Sequence, residues 1–304
     1  MSNDGLVRGT ILAGRARVFA CVSTELVGGL QRRHDTWPVA TAALGRTATI
    51  AAMIGMTLKN EERITVRIKG DGPLGEIVVE ANEAGQVRGY VDVPHVDLPS
   101  NAMGKLDVSG SVGSGLLYVI RDTGLKDYYT SSAELQTGEI ADDFTYYFAV
   151  SEQTPSLVAA GVLVNTDDTV ICSGGLIVQL LPGYEESDVV QLETRLSGLT
   201  SVTDLLRDGM DAEVLLHTVL PESRILERKP LVFACSCSRQ RFERALYSLG
   251  TTELKRMLHD EQNEVEVICH FCSTRYEFGE ADICALLTER EKHDPGASGG
   301  NHEV

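Results

Sequence analysis

The stretch Arg63-Ile-Thr-Val-Arg-Ile-Lys-Gly70 decides how the longer, amino-terminal part of the chain folds. Ile64, Val66 and Ile68 alternate with Arg63, Thr65, Arg67 and Lys69, the period of a half-buried strand. Gly70-Asp-Gly-Pro73 turns the chain into Glu76-Ile-Val-Val-Glu80, and Asn82-Glu-Ala-Gly85 turns it again into Val87-Arg-Gly-Tyr-Val91. Strands joined by such short turns make an antiparallel meander. The run Gly70-Asp-Gly-Pro-Leu-Gly75 also spells G-x-G-x-x-G. A dinucleotide site needs a helix after those glycines, and here a strand follows, so the run reads as a hairpin turn.

Working outward, further strands are expected over 6–20, 116–121, 157–163 and 170–181. Helices are expected over 24–33, 38–58 and 140–151, the last with Ile140, Phe144 and Phe148 four apart on one face. The segment 38–58 has the length of a membrane span, but Arg46, Thr41, Thr47 and Thr49 interrupt it, and it reads as a helix buried in a core or subunit interface. Strands with helices interspersed irregularly point to an α+β fold. Gly110-Ser-Val-Gly-Ser-Gly115 lacks the Lys-Ser/Thr pair of a phosphate cradle and reads as a flexible loop. Ser151-Glu-Gln153 reads as a helix end, and the adjacent pairs Asp142-Asp143 and Asp167-Asp168 diverge too much to share a catalytic site.

These signals divide the chain into a mixed domain with an antiparallel sheet and helices (1–183), a helical linker (184–230), a small cysteine-rich module (231–290) and a disordered tail (291–304). The linker carries Val189, Leu192, Leu196, Leu199, Val202, Leu205 and Leu206 at helical spacing, broken by Gly198 and Gly209 into short pieces. Helices that short are marginal in water and must pack on a neighbour.

The net charge of −17 over 304 residues keeps the chain soluble and disfavours phosphate backbones, whose binding depends on Lys and Arg. No basic region precedes an apolar run at the start, so neither export nor a membrane is expected and the location is read as cytoplasmic. Seven cysteines in a reducing compartment do not suggest a disulfide framework. Cys21 and Cys172 stand alone; the other five lie after residue 234.

Cys235-Ser-Cys237 follows the apolar run Leu231-Val-Phe233 and precedes a helix-like segment. Cys269-His-Phe-Cys272 follows Val265-Glu-Val-Ile268 and precedes Arg275-Tyr-Glu-Phe278, which places it at a hairpin tip. Two such pairs can converge tetrahedrally on one Zn2+. His270 and Cys284 are rival ligands. A module this size has little core, so a structural zinc, worth about 10–16 kcal/mol in small modules, would hold it folded. Zinc keeps the sulfurs as thiolates, the form oxidants attack, and each cysteine has a potential partner one or two residues away. A staple, an oxidant sensor, a zinc module binding nucleic acid through Arg239, Arg241, Arg244, Lys255 and Arg256, and a thiol–disulfide oxidoreductase using Cys269-x-x-Cys272 all remain open at this point.

Five stretches add to these cysteines: Arg33-His-Asp-Thr-Trp-Pro38 with Leu44-Gly-Arg46, Ile68-Lys-Gly-Asp-Gly-Pro-Leu-Gly75, Arg88-Gly-Tyr-Val91, Tyr147-Phe-Ala-Val-Ser-Glu-Gln153, and Gly174-Gly-Leu-Ile-Val-Gln-Leu-Leu-Pro182. With them, essentially the whole chain resembles the redox-regulated bacterial heat-shock holdases, the thirty-three-kilodalton heat-shock protein family. The resemblance implies a non-enzymatic, ATP-independent chaperone. Reduced, it would bind one Zn2+ through Cys235, Cys237, Cys269 and Cys272 and be inactive. Oxidised, it would form the disulfides Cys235–Cys237 and Cys269–Cys272, lose zinc, unfold the module and linker, and hold unfolding clients as a homodimer. Clients would pass to the seventy-kilodalton heat-shock system. The linker's leucine stripe, Leu196, Leu199 and Leu205, is the client-binding surface this scheme would uncover.

Overall fold

A computed structural model describes residues 3–125, 127–196, 198, 201–258 and 264–293. It divides into two compact units, Met1–Ala234 and Cys235–Val304.

In the first unit the strands are β1 (Gly5–Ile11), β2 (Ala16–Val22), β3 (Arg63–Gly70), β4 (Glu76–Asn82), β5 (Gln86–Val91), β6 (Gly115–Asp122), β7 (Tyr129–Glu134), β8 (Ser156–Val164), β9 (Val170–Leu180), β10 (Arg224–Pro230) and β11 (Val232–Phe233). The helices are α1 (Thr24–His34), α2 (Pro38–Gly55), α3 (Val108–Val112), α4 (Ala141–Val150), α5 (Glu186–Leu196), α6 (Val202–Leu206) and α7 (Ala212–Val219). One sheet has five strands in the order β10-β1-β2-β9-β8, the other six in the order β11-β5-β4-β3-β6-β7. The expected meander is β3, β4 and β5, with Ile68 opposite Ile77 and Val79 opposite Gly89. The α+β class holds.

The core lies where α2 touches strands of both sheets. Every α2 residue except Pro38 and Arg46 is buried. Its polar interruptions are satisfied locally, as a buried hydroxyl requires: Thr47 Oγ1 donates to the Ala43 carbonyl and Thr49 Oγ1 to that of Gly45. Arg46 reaches Glu139 at 2.6 Å. Gly45 lets Val27 and Val162 close on the helix, since a Cβ there would lie 2.7 Å from Val27 Cγ1. No helix among the described residues is long and apolar enough to cross a membrane.

The five-stranded sheet is covered on both faces, which is why β2 reads as a nearly unbroken apolar run. Phe19 and Cys21 point to the α2 side. Val18, Ala20 and Val22 alternate with them and join a second core with Leu192, Leu196, Val202, Leu206, Leu215, Leu216 and Leu220 from the linker helices. Caps and one ion pair fix these short helices. Ser201 caps α6 and Asp211 caps α7. Asp188 in α5 accepts from Arg15 Nε and Nη2, both at 2.7 Å, and from the Glu185 backbone N–H. The Arg15 guanidinium accordingly holds the Asp188 carboxyl down at about 2.

Three expectations need correction. The linker is not helical to residue 230: Arg224–Pro230 is the strand β10, paired antiparallel with β1 from Gly5↔Pro230 to Thr10↔Arg224. Its side chains alternate between exposed and half-buried only, the weak pattern of an edge strand. The run Gly110–Gly115 is not a flexible loop. Its first residues complete α3, where Asp107 accepts the Gly110 N–H, and Asp71 accepts that of Ser114. Finally, Leu231-Val-Phe233 belongs to the first unit: Leu231 is in its core and β11 runs parallel to β5. That strap passes Gly85, whose φ of +72° and close approach to the Pro230 carbonyl exclude a side chain.

The second unit contains α8 (Arg239–Ser248), α9 (Thr251–Met257), β12 (Glu264–Ile268), β13 (Arg275–Gly279) and α10 (Glu280–His293). β12 and β13 form the expected hairpin, Val265 opposite Phe278. Among the described residues its buried apolar core is Leu246, Leu254, Phe278, Ile283, Leu286 and Leu287. The helix α10 continues to His293, past the start of the expected disordered tail at 291, and the rest of that tail lies outside the described residues.

Candidate metal centre

Both cysteine pairs sit on short connections whose backbone is pinned at each end. Cys235 and Cys237 lead into α8, where the Ser238 hydroxyl accepts the Arg241 N–H as a cap. Cys269 and Cys272 form the tip of the β12–β13 hairpin. The Cys269 N–H donates to the Thr274 carbonyl at 2.9 Å, while Cys272 and Ser273 donate back to the Cys269 carbonyl. Ser273 takes a left-handed conformation, φ +58°, to close the turn.

This brings all four sulfurs within 4.8 Å of one another. Cys235 Sγ lies 3.7 Å from Cys269 Sγ, and Cys237 Sγ lies 3.3 Å from Cys272 Sγ. A tetrahedron with metal–sulfur bonds near 2.3 Å has edges of about 3.8 Å, so the donor set fits a tetrahedral cation. Among the described residues this is the only such group of His, Cys, Asp or Glu side chains. Neither rival ligand joins it: His270 and Cys284 are exposed.

Without a cation the four sulfurs resist ionising together. Burial pushes the Cys237 thiol up and the Cys269 thiol up to about 12. Burial also opposes ionisation of Cys272, but hydrogen bonds with the Thr274 hydroxyl and backbone, and with Cys237 and Cys269, outweigh it and bring that thiol to about 7. Thiolates packed this closely repel one another, and a bound dication is the natural counter-charge.

Two neighbours escaped the sequence reading. Tyr276 Oη lies 3.2 Å from Cys237 Sγ, and Thr274 Oγ1 lies 3.2 Å from Cys272 Sγ. Alternation along β13 puts Tyr276 on the same face as the buried Phe278, the one hint in sequence that its ring turns inward. The cations around the site are partly spent inside the unit. Arg239 binds Asp282 at 2.7 Å and lies over the Phe278 ring, and Arg256 pairs with Glu253. The CxxC pair is followed by a strand rather than opening a helix, so the helix N-terminus that activates thiol oxidoreductases is missing here.

Of the linker leucines, Leu196 is buried and Leu205 half-buried against the five-stranded sheet. Leu199 lies outside the described residues.

An α+β unit of two sheets, a linker laid over one of them, and a small module in which four cysteine sulfurs cluster define a protein with a donor set that could hold a metal ion. The family model described as "Hsp33 protein" matches residues 4–279, and the chain belongs to that family. A "33 kDa chaperonin" of Bacillus velezensis is 45% identical over 288 residues, 94% of this chain and 99% of the relative. One from Staphylococcus aureus strain JH9 is 42% identical over 290 residues, again 94% and 99%. Among solved structures, the 33 kDa chaperonin (heat shock protein 33 homolog) of Thermotoga maritima superposes with a TM-score of 0.89 at 35% identity. The match covers 96% of this chain and 100% of that one.

Proposed function

We propose that this chain is a heat-shock chaperone rather than an enzyme, and that oxidation of its four cysteines switches on its binding of unfolding polypeptides. The observation that carries the reading is a cluster of four sulfurs within 4.8 Å in a unit whose buried core, among the described residues, is six apolar side chains. Such a unit depends on what its sulfurs hold.

In the reduced state Cys235, Cys237, Cys269 and Cys272 would hold one zinc ion. When bound, the ion supplies a tetrahedral cross-link between the α8 approach and the hairpin tip and keeps the sulfurs ionised. The chain's own chemistry does the rest. A thiolate attacks a peroxide oxygen, the O–O bond breaks, and the departing hydroxide takes a proton to become water. A second thiolate then attacks the sulfenic sulfur and a further hydroxide leaves, so each disulfide passes two electrons to one peroxide. Sulfurs paired in this way no longer carry the charge that retains a cation, and the module loses its fold. The linker then lifts, and Leu196, Leu199 and Leu205 with their neighbours become the surface for clients.

Pairing within each motif, Cys235–Cys237 and Cys269–Cys272, is the first reading. A second is Cys235–Cys269 and Cys237–Cys272, whose sulfurs lie 3.7 and 3.3 Å apart. Peptide mapping of the oxidised chain separates the two. A homodimeric active form, hand-over to the seventy-kilodalton heat-shock system and a cytoplasmic site of action rest on family membership. Nucleic acid and membranes are not proposed as partners, given the acidic chain.

The test is to titrate bound zinc, free thiols and suppression of client aggregation before and after peroxide. The proposal expects about one zinc and four thiols lost per chain as suppression appears. Replacing Leu196, Leu199 and Leu205 by serine should then weaken suppression by the oxidised chain. Suppression equal in reduced and oxidised samples would overturn the switch.

A further inference from the structure

Tyr276 is held from two sides. On β13 it stands opposite Val267 of β12, and its ring packs against Phe242 of α8 with centroids 5.0 Å apart. Held there, its hydroxyl lies 3.2 Å from Cys237 Sγ. A thiolate sulfur has lone pairs beyond the one given to a metal, and it accepts such a bond. Outer contacts of this kind orient a ligand and tune it.

We propose that Tyr276 is a positioning residue for the redox centre: its phenol donates a hydrogen bond to the Cys237 sulfur, aims it into the cluster, and slows its oxidation. The inference rests on the proposed function and names a regulator of that site. The physical reason is twofold. A hydrogen bond draws electron density from the sulfur, so its attack on a peroxide O–O bond is slower. The hydroxyl also occupies one approach to that sulfur, which is only half-buried. The electron balance is unchanged: Cys237 still yields two electrons to the peroxide together with its partner thiolate, and water still leaves twice.

Thr274 offers a built-in contrast: its hydroxyl lies 3.2 Å from Cys272 Sγ, accepting from the thiol and free to rotate and donate once that sulfur is a thiolate. Two hydroxyls, one on each motif, set the relative reactivity of the two motifs. Losing either one should tilt the balance toward its own cysteine, and a residue that merely packs the hairpin would not do this.

The experiment uses the full chain, metal-loaded, as wild type, Tyr276→Phe and Thr274→Val. Sulfenic-acid labelling and mass spectrometry follow the first oxidation at Cys237 against that at Cys272 during a peroxide pulse, a readout independent of which disulfides form, and a chelator titration reads metal retention. Tyr276→Phe keeps the ring and should raise the Cys237 rate relative to Cys272 roughly five- to tenfold. It should also loosen the metal about tenfold. Thr274→Val should move the ratio the other way. A ratio unchanged in Tyr276→Phe, or both motifs speeding up together, would overturn the inference, since the phenol would then only hold the module together. If wild type itself forms no disulfide, the proposed function fails instead.

Discussion

The helix α2 and the cysteine module are held in place by opposite means. Around α2, burial does the work: all but two of its residues are shielded, its hydroxyls bond its own carbonyls, and apolar side chains from both sheets close on it. Nothing in that arrangement responds to an oxidant, and its one nearby thiol, Cys21, is fully buried with its ionisation pushed well up by desolvation. Among its described residues the module instead has a core cluster of six buried apolar side chains beside its four sulfurs. Under the proposed function its stability is concentrated in groups that a two-electron oxidant can change. The linker lies between these extremes, packed on a sheet by leucines and fixed by caps and the Arg15–Asp188 pair. The proposed switch, placed in the poorly cored unit, would open without endangering the well-cored one.

The sharpest break in this contrast is removal of one sulfur. Cys269→Ser deletes the most buried of the four, and the module should unfold while the first unit stays native. Structural zinc sites are worth about 10–16 kcal/mol in small modules, more than six core side chains can replace. Two separate thermal transitions collapsing to one, with the upper midpoint retained, is the expected calorimetric result.

A core deletion should do the reverse. Ile50 is fully buried in α2, and Ile50→Ala should cost about 2–5 kcal/mol of first-unit stability. The chelator concentration that strips the module should not move. A parallel shift in both would mean that the two units share their stability.

How much of this was legible in sequence follows from how local each signal is. The meander and α2 were readable because alternation and turn residues lie within a few positions of one another. The cysteine pairs were readable because ligand spacing is itself a local pattern. β10 was not, since its partner β1 is at the other end of the first unit and its charged face also suits a helix. β7, Tyr129–Glu134, was missed because an exposed edge strand of polar residues shows almost no alternation. Tyr276 and Thr274 touch their sulfurs only because the Ser273 turn folds the hairpin back. The Arg15–Asp188 pair joins residues that no pattern links.

That ion pair gives the smallest expected effect. Asp188 ionises at about 2 in the folded chain, held there by Arg15 and the Glu185 N–H, against about 3.9 when unfolded. A depressed carboxyl contributes its full stabilisation above the unfolded value and loses it as pH falls through the folded one. Linker amides should therefore exchange faster, after correction for intrinsic rates, as pH drops from about 4 toward 2. Asp188→Asn should exchange faster at neutral pH and show little of that acid step. An unchanged acid step in the variant would remove the pair from the account.

On the proposed function, the four sulfurs decide whether the module stays folded, and loss of the module loosens the linker's packing on its sheet. Region-resolved hydrogen exchange on the full chain, zinc-loaded and reduced against peroxide-treated, tests it most directly. Protection should vanish over α8 to α10, fall over α5 to α7, and persist in α2 and both sheets. Protection retained in the module after its thiols have been consumed, or lost evenly across the whole chain, would contradict it.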